Sequence, residues 1–118
     1  MVEKFRVLGD ETRLRIVKLL QQTPWLYVCD IVAVLEQPFY AISRHLKELR
    51  HIGLVMEQKE GRFIRYSLGK SVSPSDEKLY ELITTIENDQ TLRDRDRLRK
   101  RLEIRLKNPE ISCELVEE

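Results

Sequence analysis

Leu35–Val55, LEQPFYAISRHLKELRHIGLV, decides how the chain is read. Ile42, Leu46 and Leu49 recur at the spacing of one helical face, while Ser43, Arg44, His45 and Lys47 point outward. Gln37-Pro38 marks a turn, and a proline suits the first position of the helix that runs on to about His51. Gly53 then supplies a tight turn into a short strand. A helix that buries one stripe and presents polar groups on the other fits the major groove of DNA.

Working outward, Trp25–Leu35 is a second apolar-periodic stretch, with Leu26, Ile31, Val34 and Leu35 as core. Two helices joined by so short a turn, the second polar on its outer face, make a helix-turn-helix. Upstream, Asp10 caps a helix over Glu11–Gln22, which places Leu14, Val17 and Leu20 on one face and ends at Thr23-Pro24. Downstream, Leu54–Gln58 and Arg62–Leu68 alternate apolar and polar around Lys59-Glu60-Gly61. Gly61 takes the positive φ of the turn, so this hairpin is the wing of a winged helix.

Gly69–Ser75 reads as a linker, and Ser75 or Asp76 as the cap of a further helix. A charge-rich amphipathic stretch follows over Thr91–Lys107, built around Leu92, Leu98, Leu102 and Leu106. The expected fold class is mainly α with a small β-hairpin, a dimeric winged helix-turn-helix forming one domain over 1–118. Within it, 9–70 is the DNA-binding core with the wing at about 54–68, 1–8 and 75–107 are helices for dimerisation, and 108–118 is an irregular tail.

A chain of 118 residues bounds a single domain too small for a typical deep-clefted enzyme. The 42% hydrophobic and 35% charged content describe a soluble, helix-rich fold. No apolar run approaches the ~20 residues that span a bilayer, and MVEKFRVLGD lacks a signal-peptide core, so no membrane partner is expected. Two cysteines, Cys29 and Cys113, make no disulfide framework, which points to the reducing cytoplasm. Charge is uneven: residues 1–70 hold 12 Lys/Arg against 8 Asp/Glu, and residues 71–118 hold 9 against 12. A basic first part suits a polyanion such as double-stranded operator DNA.

The first turns of the recognition helix carry Phe39, Tyr40, Ala41, Ser43 and Arg44, the positions that meet base edges. Arg44 suits guanine O6/N7, and Lys47 suits backbone phosphate. Phe39 and Tyr40 either touch thymine methyls or pack into the domain. His45 reads as a DNA contact, against a hydrogen-bonded structural histidine. Arg62 and Arg65 flank the hairpin turn, where a wing tip neutralises phosphates or enters the minor groove. Phe5, Leu79, Leu82, Ile83 and Ile86 form apolar stripes suited to a symmetric homodimer, which sets two recognition helices about one turn apart on a palindrome. Both histidines fall on the recognition helix, and there is no oxyanion loop or cofactor fingerprint, so neither an enzyme nor an obligatory cofactor is expected.

The segments FRVLGDETRLRIVKLL (5–20), VCD (28–30), ISRHLKELR (42–50), GLV (53–55) and GRFIRYSL (61–68) together resemble the arsenic-repressor (ArsR/SmtB) family. The resemblance implies a dimeric winged helix-turn-helix repressor that leaves its operator when a metal or metalloid binds. Arsenical members often carry Cys-Val-Cys-Asp where this chain has Tyr27-Val28-Cys29-Asp30, and Val32 stands where a third cysteine occurs. Residues 76–90 contain no histidine, so the dimer-helix site of the cadmium and zinc sensors is absent. Some arsenical relatives follow an Arg-rich helix with a terminal cysteine, which makes Cys29 and Cys113 a candidate pair for arsenite or another thiophilic ion. The expected function is therefore a repressor released by such an ion. Two alternatives stand beside it: a thiol redox or persulfide sensor using the same cysteines, and a winged helix that binds protein rather than DNA.

Overall fold

Asp10 opens the first long helix by accepting a hydrogen bond from the Arg13 backbone N–H at 3.1 Å, as its sequence position predicts. The computed structural model describes residues 1–107. Along them run α1 (Val2–Leu8), α2 (Glu11–Gln22), β1 (Leu26–Tyr27), α3 (Val28–Leu35) and α4 (Phe39–His51). The hairpin β2 (Val55–Glu60) and β3 (Phe63–Leu68) follows, then α5 (Pro74–Thr85) and α6 (Asp89–Lys107). The expected tail, 108–118, lies outside the described residues.

The helix-turn-helix and wing expected from the sequence are both present. Ile16, Leu19, Leu26, Ile31, Ile42, Leu46, Leu49, Leu54 and Ile83 fill one core shared by the helices and the sheet. Three local expectations need correcting. Ser73, not Ser75 or Asp76, caps α5: its side chain accepts from the Asp76 N–H at 3.2 Å. Pro74, whose missing N–H costs nothing in a first helical turn, then starts the helix. The hairpin turn falls on Gly61-Arg62, because Lys59 and Glu60 still pair with Ile64 and Phe63 in the ladder. Finally, Leu26-Tyr27 belongs to no helix. These two residues form a third strand, Leu26 opposite Tyr66 and Tyr27 opposite Arg65, giving the order β1-β3-β2.

Two glycines fix the hinge between α4 and the wing. Gly53 sits at φ 81°, a conformation closed to most side chains. Gly69 approaches it so closely that a Cβ there would lie 1.9 Å from the Gly53 carbonyl oxygen.

Helix α6 is held by buried ion pairs rather than by a broad apolar face. Arg15 on α2 grips Asp94 with two hydrogen bonds, 2.8 and 2.9 Å long. Lys18 donates to the Ile83 carbonyl at the end of α5 at 3.0 Å, the same oxygen that accepts from the Ile86 N–H at 3.1 Å. Lys4 pairs with Asp76 and joins α1 to α5, and with the Val72 N–H it holds the Asp76 carboxyl below the usual carboxylate range. Among the described residues, no helix is long and apolar enough to cross a membrane.

Candidate functional site

The turn before α4 is built by local chemistry. Glu36 takes the left-handed conformation at φ 56° and ends α3, while Pro38 occupies the N-cap of α4. Gln37 and Thr12 exchange hydrogen bonds of 3.0 and 3.2 Å, which pin the turn to the start of α2. With Ile42, Leu46 and Leu49 in the core, α4 leaves Arg44 and Lys47 exposed and Ala41 and Ser43 half-buried. Tyr40 is 71% exposed and points away from the domain. Phe39, 38% exposed, borders a crevice of 270 Å³ between α4 and the wing, together with Ser43, Arg62, Phe63 and Tyr66.

His45 is half-buried, and its Nδ1 accepts from Arg13 Nε at 3.1 Å. That bond leaves the proton on Nε2 in the neutral ring. Burial is the main cause that pushes its pKa below the ordinary 6.5, assisted by the neighbouring Arg13 and Arg44. His45 therefore combines a structural hydrogen bond with one ring edge left for other partners.

The two wing arginines part company. Arg62 is exposed at the hairpin turn, 5.3 Å from the Phe63 ring centre. Arg65 lies on the face of β3 opposite Ile64 and Tyr66, because strand side chains alternate. There it pairs with Glu60 and stacks at 4.0 Å over the Trp25 ring.

A second constellation joins the first turn of α3 to the end of α6. Cys29 is fully buried, and no cysteine among the described residues is a free thiol. The next residue, Asp30, is also fully buried and accepts from the Tyr27 N–H at 3.0 Å. Its two oxygens also take Arg101 Nε at 2.8 Å and an Arg105 guanidinium nitrogen at 2.6 Å. Arg105 in turn lies 4.1 Å over Trp25. These partners stand 71 and 75 residues apart in sequence, so no local pattern could connect them. Cys113, the other expected thiol, lies outside the described residues. Among the described residues, no three His, Cys, Asp or Glu side chains converge on a metal position.

The residues expected at a dimer interface divide. Leu79 and Ile83 pack into the chain's own core, and Ile86 caps the end of α5. Phe5 and Leu82 are 57% and 56% exposed and border a groove of 290 Å³ with Met1, Lys78 and Leu79.

The family model "Bacterial regulatory protein, arsR family" matches residues 10–57, which run from the α2 cap through the recognition helix into the wing. The chain belongs to the arsR family. This arsR-family protein is 42% identical over 71 residues to the arsenical resistance operon repressor of Escherichia coli (strain K12), a match covering 60% of this chain and 61% of that one. Reduced HlyU from Vibrio cholerae N16961 superposes with a TM-score of 0.60 at 32% identity, over 70% of this chain and 82% of that one. The AntR antimony-specific transcriptional repressor superposes with a TM-score of 0.55 at 29% identity, over 66% and 68%. The chain thus spans less than two thirds of the E. coli repressor, and the matching part holds the helix-turn-helix. The relatives are transcriptional regulators, not enzymes.

Proposed function

We propose that this arsR-family protein is a cytoplasmic homodimeric repressor that binds a short inverted repeat and is released by a thiophilic metalloid such as arsenite. The observation that carries the DNA half is the exposed edge of α4, with Tyr40, Arg44 and Lys47 open to solvent and Phe39 and Ser43 sharing a crevice with Arg62 of the wing. A helix seated in the major groove offers Arg44 to base edges and Lys47 to phosphate, with Phe39, Ala41, Ser43 and the Nε2 edge of His45 alongside. Arg62 reaches the flanking backbone. Arg65, committed to Glu60 and Trp25, contributes least.

The inducer half rests on Cys29 and on the kinship with an arsenical and an antimony-specific repressor. Thiolates are the donors that soft ions select, and Cys29 with Cys113 would supply two of them. Cys29 lies beside the buried Asp30, so a ligand on its sulfur disturbs the first turn of α3, one short helix away from α4. Such coupling is reciprocal: DNA must weaken the inducer by the factor the inducer weakens DNA. A second reading keeps the DNA site and makes oxidation of Cys29 and Cys113 the signal. It is favoured by the absence of a free thiol among the described residues.

Fluorescence anisotropy of the reduced protein on duplex DNA from its own promoter, with and without arsenite, tests both halves. Release by arsenite in the wild type but not in Cys29→Ser supports the metalloid reading. Indifference to arsenite together with release by oxidant transfers the signal to the thiol pair.

A further inference from the structure

Among the described residues, Glu36 is the one non-glycine with a positive φ, 56° with ψ 46°. The left-handed region disfavours any residue with a Cβ, and glycine or asparagine would end α3 there at less cost. A glutamate in that place is explained by its side chain. Its carboxylate meets the Arg97 guanidinium of α6 at 2.8 Å, across a long stretch of sequence.

Arg97, Arg101 and Arg105 recur every four residues and share one face of α6. Arg101 and Arg105 hold Asp30 in the first turn of α3, and Arg97 holds Glu36 at its other end. Helix α3 is thus strapped to α6 at both ends. The seat of α6 does not depend on Arg97, because Arg15 grips Asp94 and Leu98 is buried in the core. Only Gln37 and Pro38 separate Glu36 from Phe39, where the recognition helix begins. Gln37 ties this turn to α2 through Thr12, and Glu36 ties it to α6.

We propose that Glu36 is a positioning residue for DNA recognition: through Arg97, helix α6 sets the direction in which α4 leaves the turn. The proposal deepens the repressor reading and rests on its DNA half. The two side chains are 66% and 40% exposed, so their ion pair adds little to global stability. Base readout is more demanding than folding, because a binding constellation must be held within about 0.5 Å and 10–20°. A weak tether on this turn therefore acts on discrimination between sequences more than on the unfolding midpoint.

Fluorescence anisotropy on promoter duplex and on an unrelated duplex, at several salt concentrations, tests this. The proteins are the wild type, Glu36→Gln, Arg97→Gln, Glu36→Gly and the exchanged pair Glu36→Arg/Arg97→Glu, each also unfolded in urea. Glu36→Gln and Arg97→Gln should lower the preference for promoter duplex roughly threefold to fivefold, the most that an exposed ion pair supplies. Their salt slopes should match the wild type, and the exchanged pair should restore most of the preference. A Glu36→Gly protein that discriminates like the wild type overturns the proposal, since the turn then needs no side chain. So does a fall in salt slope of about one in Arg97→Gln alone, which would make Arg97 a direct phosphate contact. An exchanged pair that restores nothing, or a loss of preference that only tracks a lower urea midpoint, overturns it as well. A wild type without preference for its promoter removes the repressor reading and this proposal together. A wild type that discriminates beside variants that do so equally removes this proposal alone.

Discussion

Arg105 meets Asp30 at 2.6 Å across 75 residues of sequence, and Arg101 takes the other oxygen of the same carboxylate. The carboxylate is inaccessible to solvent, while the arginine side chains keep 12% and 16% exposure. This one acid fastens the end of α6 to the start of α3. Removing one partner of a buried pair costs about 3–5 kcal/mol, because the charges left behind have lost their solvent as well as their partner. Residual water around the arginines places Asp30→Asn toward the lower end. Urea unfolding with an unchanged slope should show the loss as a lower midpoint. A change below about 1 kcal/mol would mean that the pair behaves like a surface ion pair and does not hold α6.

The contrast between Arg62 and Arg65 gives a sharper test of the DNA face. Each phosphate contact adds about 0.9 to the slope of log affinity against log salt. Arg62→Ala and Lys47→Ala should each weaken binding to specific and nonspecific duplex alike and lower that slope by about one. Arg65→Ala should leave the slope unchanged, because its guanidinium is engaged with Glu60 and Trp25 on the far side of β3. A drop in slope for Arg65→Ala would show that the wing turns over on DNA.

The residues also show what a single sequence discloses. Ile42, Leu46 and Leu49 lie on one face of a 3.6-residue period, so the recognition helix and its outward side were legible before any coordinates. Asp10, Gly53 and Gly61 announced a cap and two turns through chemistry that only a few residues perform. Leu26-Tyr27 was not legible as a strand, since two residues cannot display alternation and their pairing with β3 is nonlocal. The Asp30 cluster was hidden for the same reason. Val28-Cys29-Asp30 drew attention to the cysteine, while the structural weight falls on the neighbouring acid. The pairing of Arg65 with Glu60 and Trp25 was not legible either, because proximity to a turn says nothing about which face of a strand a side chain occupies.

His45 supplies a pH dependence whose sign follows from its lowered pKa. In the unfolded chain the ring takes up a proton near its ordinary value of 6.5, whereas the folded protein resists protonation until a lower pH. The unfolded state therefore binds more protons between those two values. The stability contributed by neutral His45 is complete above the ordinary value and is lost as pH falls through the folded pKa. His45→Gln, which keeps a hydrogen-bond acceptor for Arg13, should flatten this part of the profile. Urea midpoints at about pH 7.5 and about pH 5.5 would show it; equal falls in wild type and variant would assign the acid sensitivity to other groups.

Phe5 and Leu82 carry the proposal of a dimer, because they are the expected interface residues that the chain's own core leaves uncovered. Leu82 is 56% exposed on α5, next to Phe5 of α1, and the groove between them is lined mainly by apolar side chains. A carboxylate introduced there costs the monomer little, since that position already meets water. In a two-fold interface it is placed against its own symmetry mate, where like charges repel and neither is solvated. Leu82→Asp should thus sediment as a monomer with near-wild-type helicity, and its affinity for an inverted repeat should fall toward that for a single half-site. Ile83→Asp, one residue on, should instead unfold the chain, because Ile83 is 2% exposed. A Leu82→Asp protein that remains dimeric and binds the full repeat would move the interface away from α1 and α5. The exposed face of α6 around Ile104, itself 50% exposed, would then be the next surface to substitute.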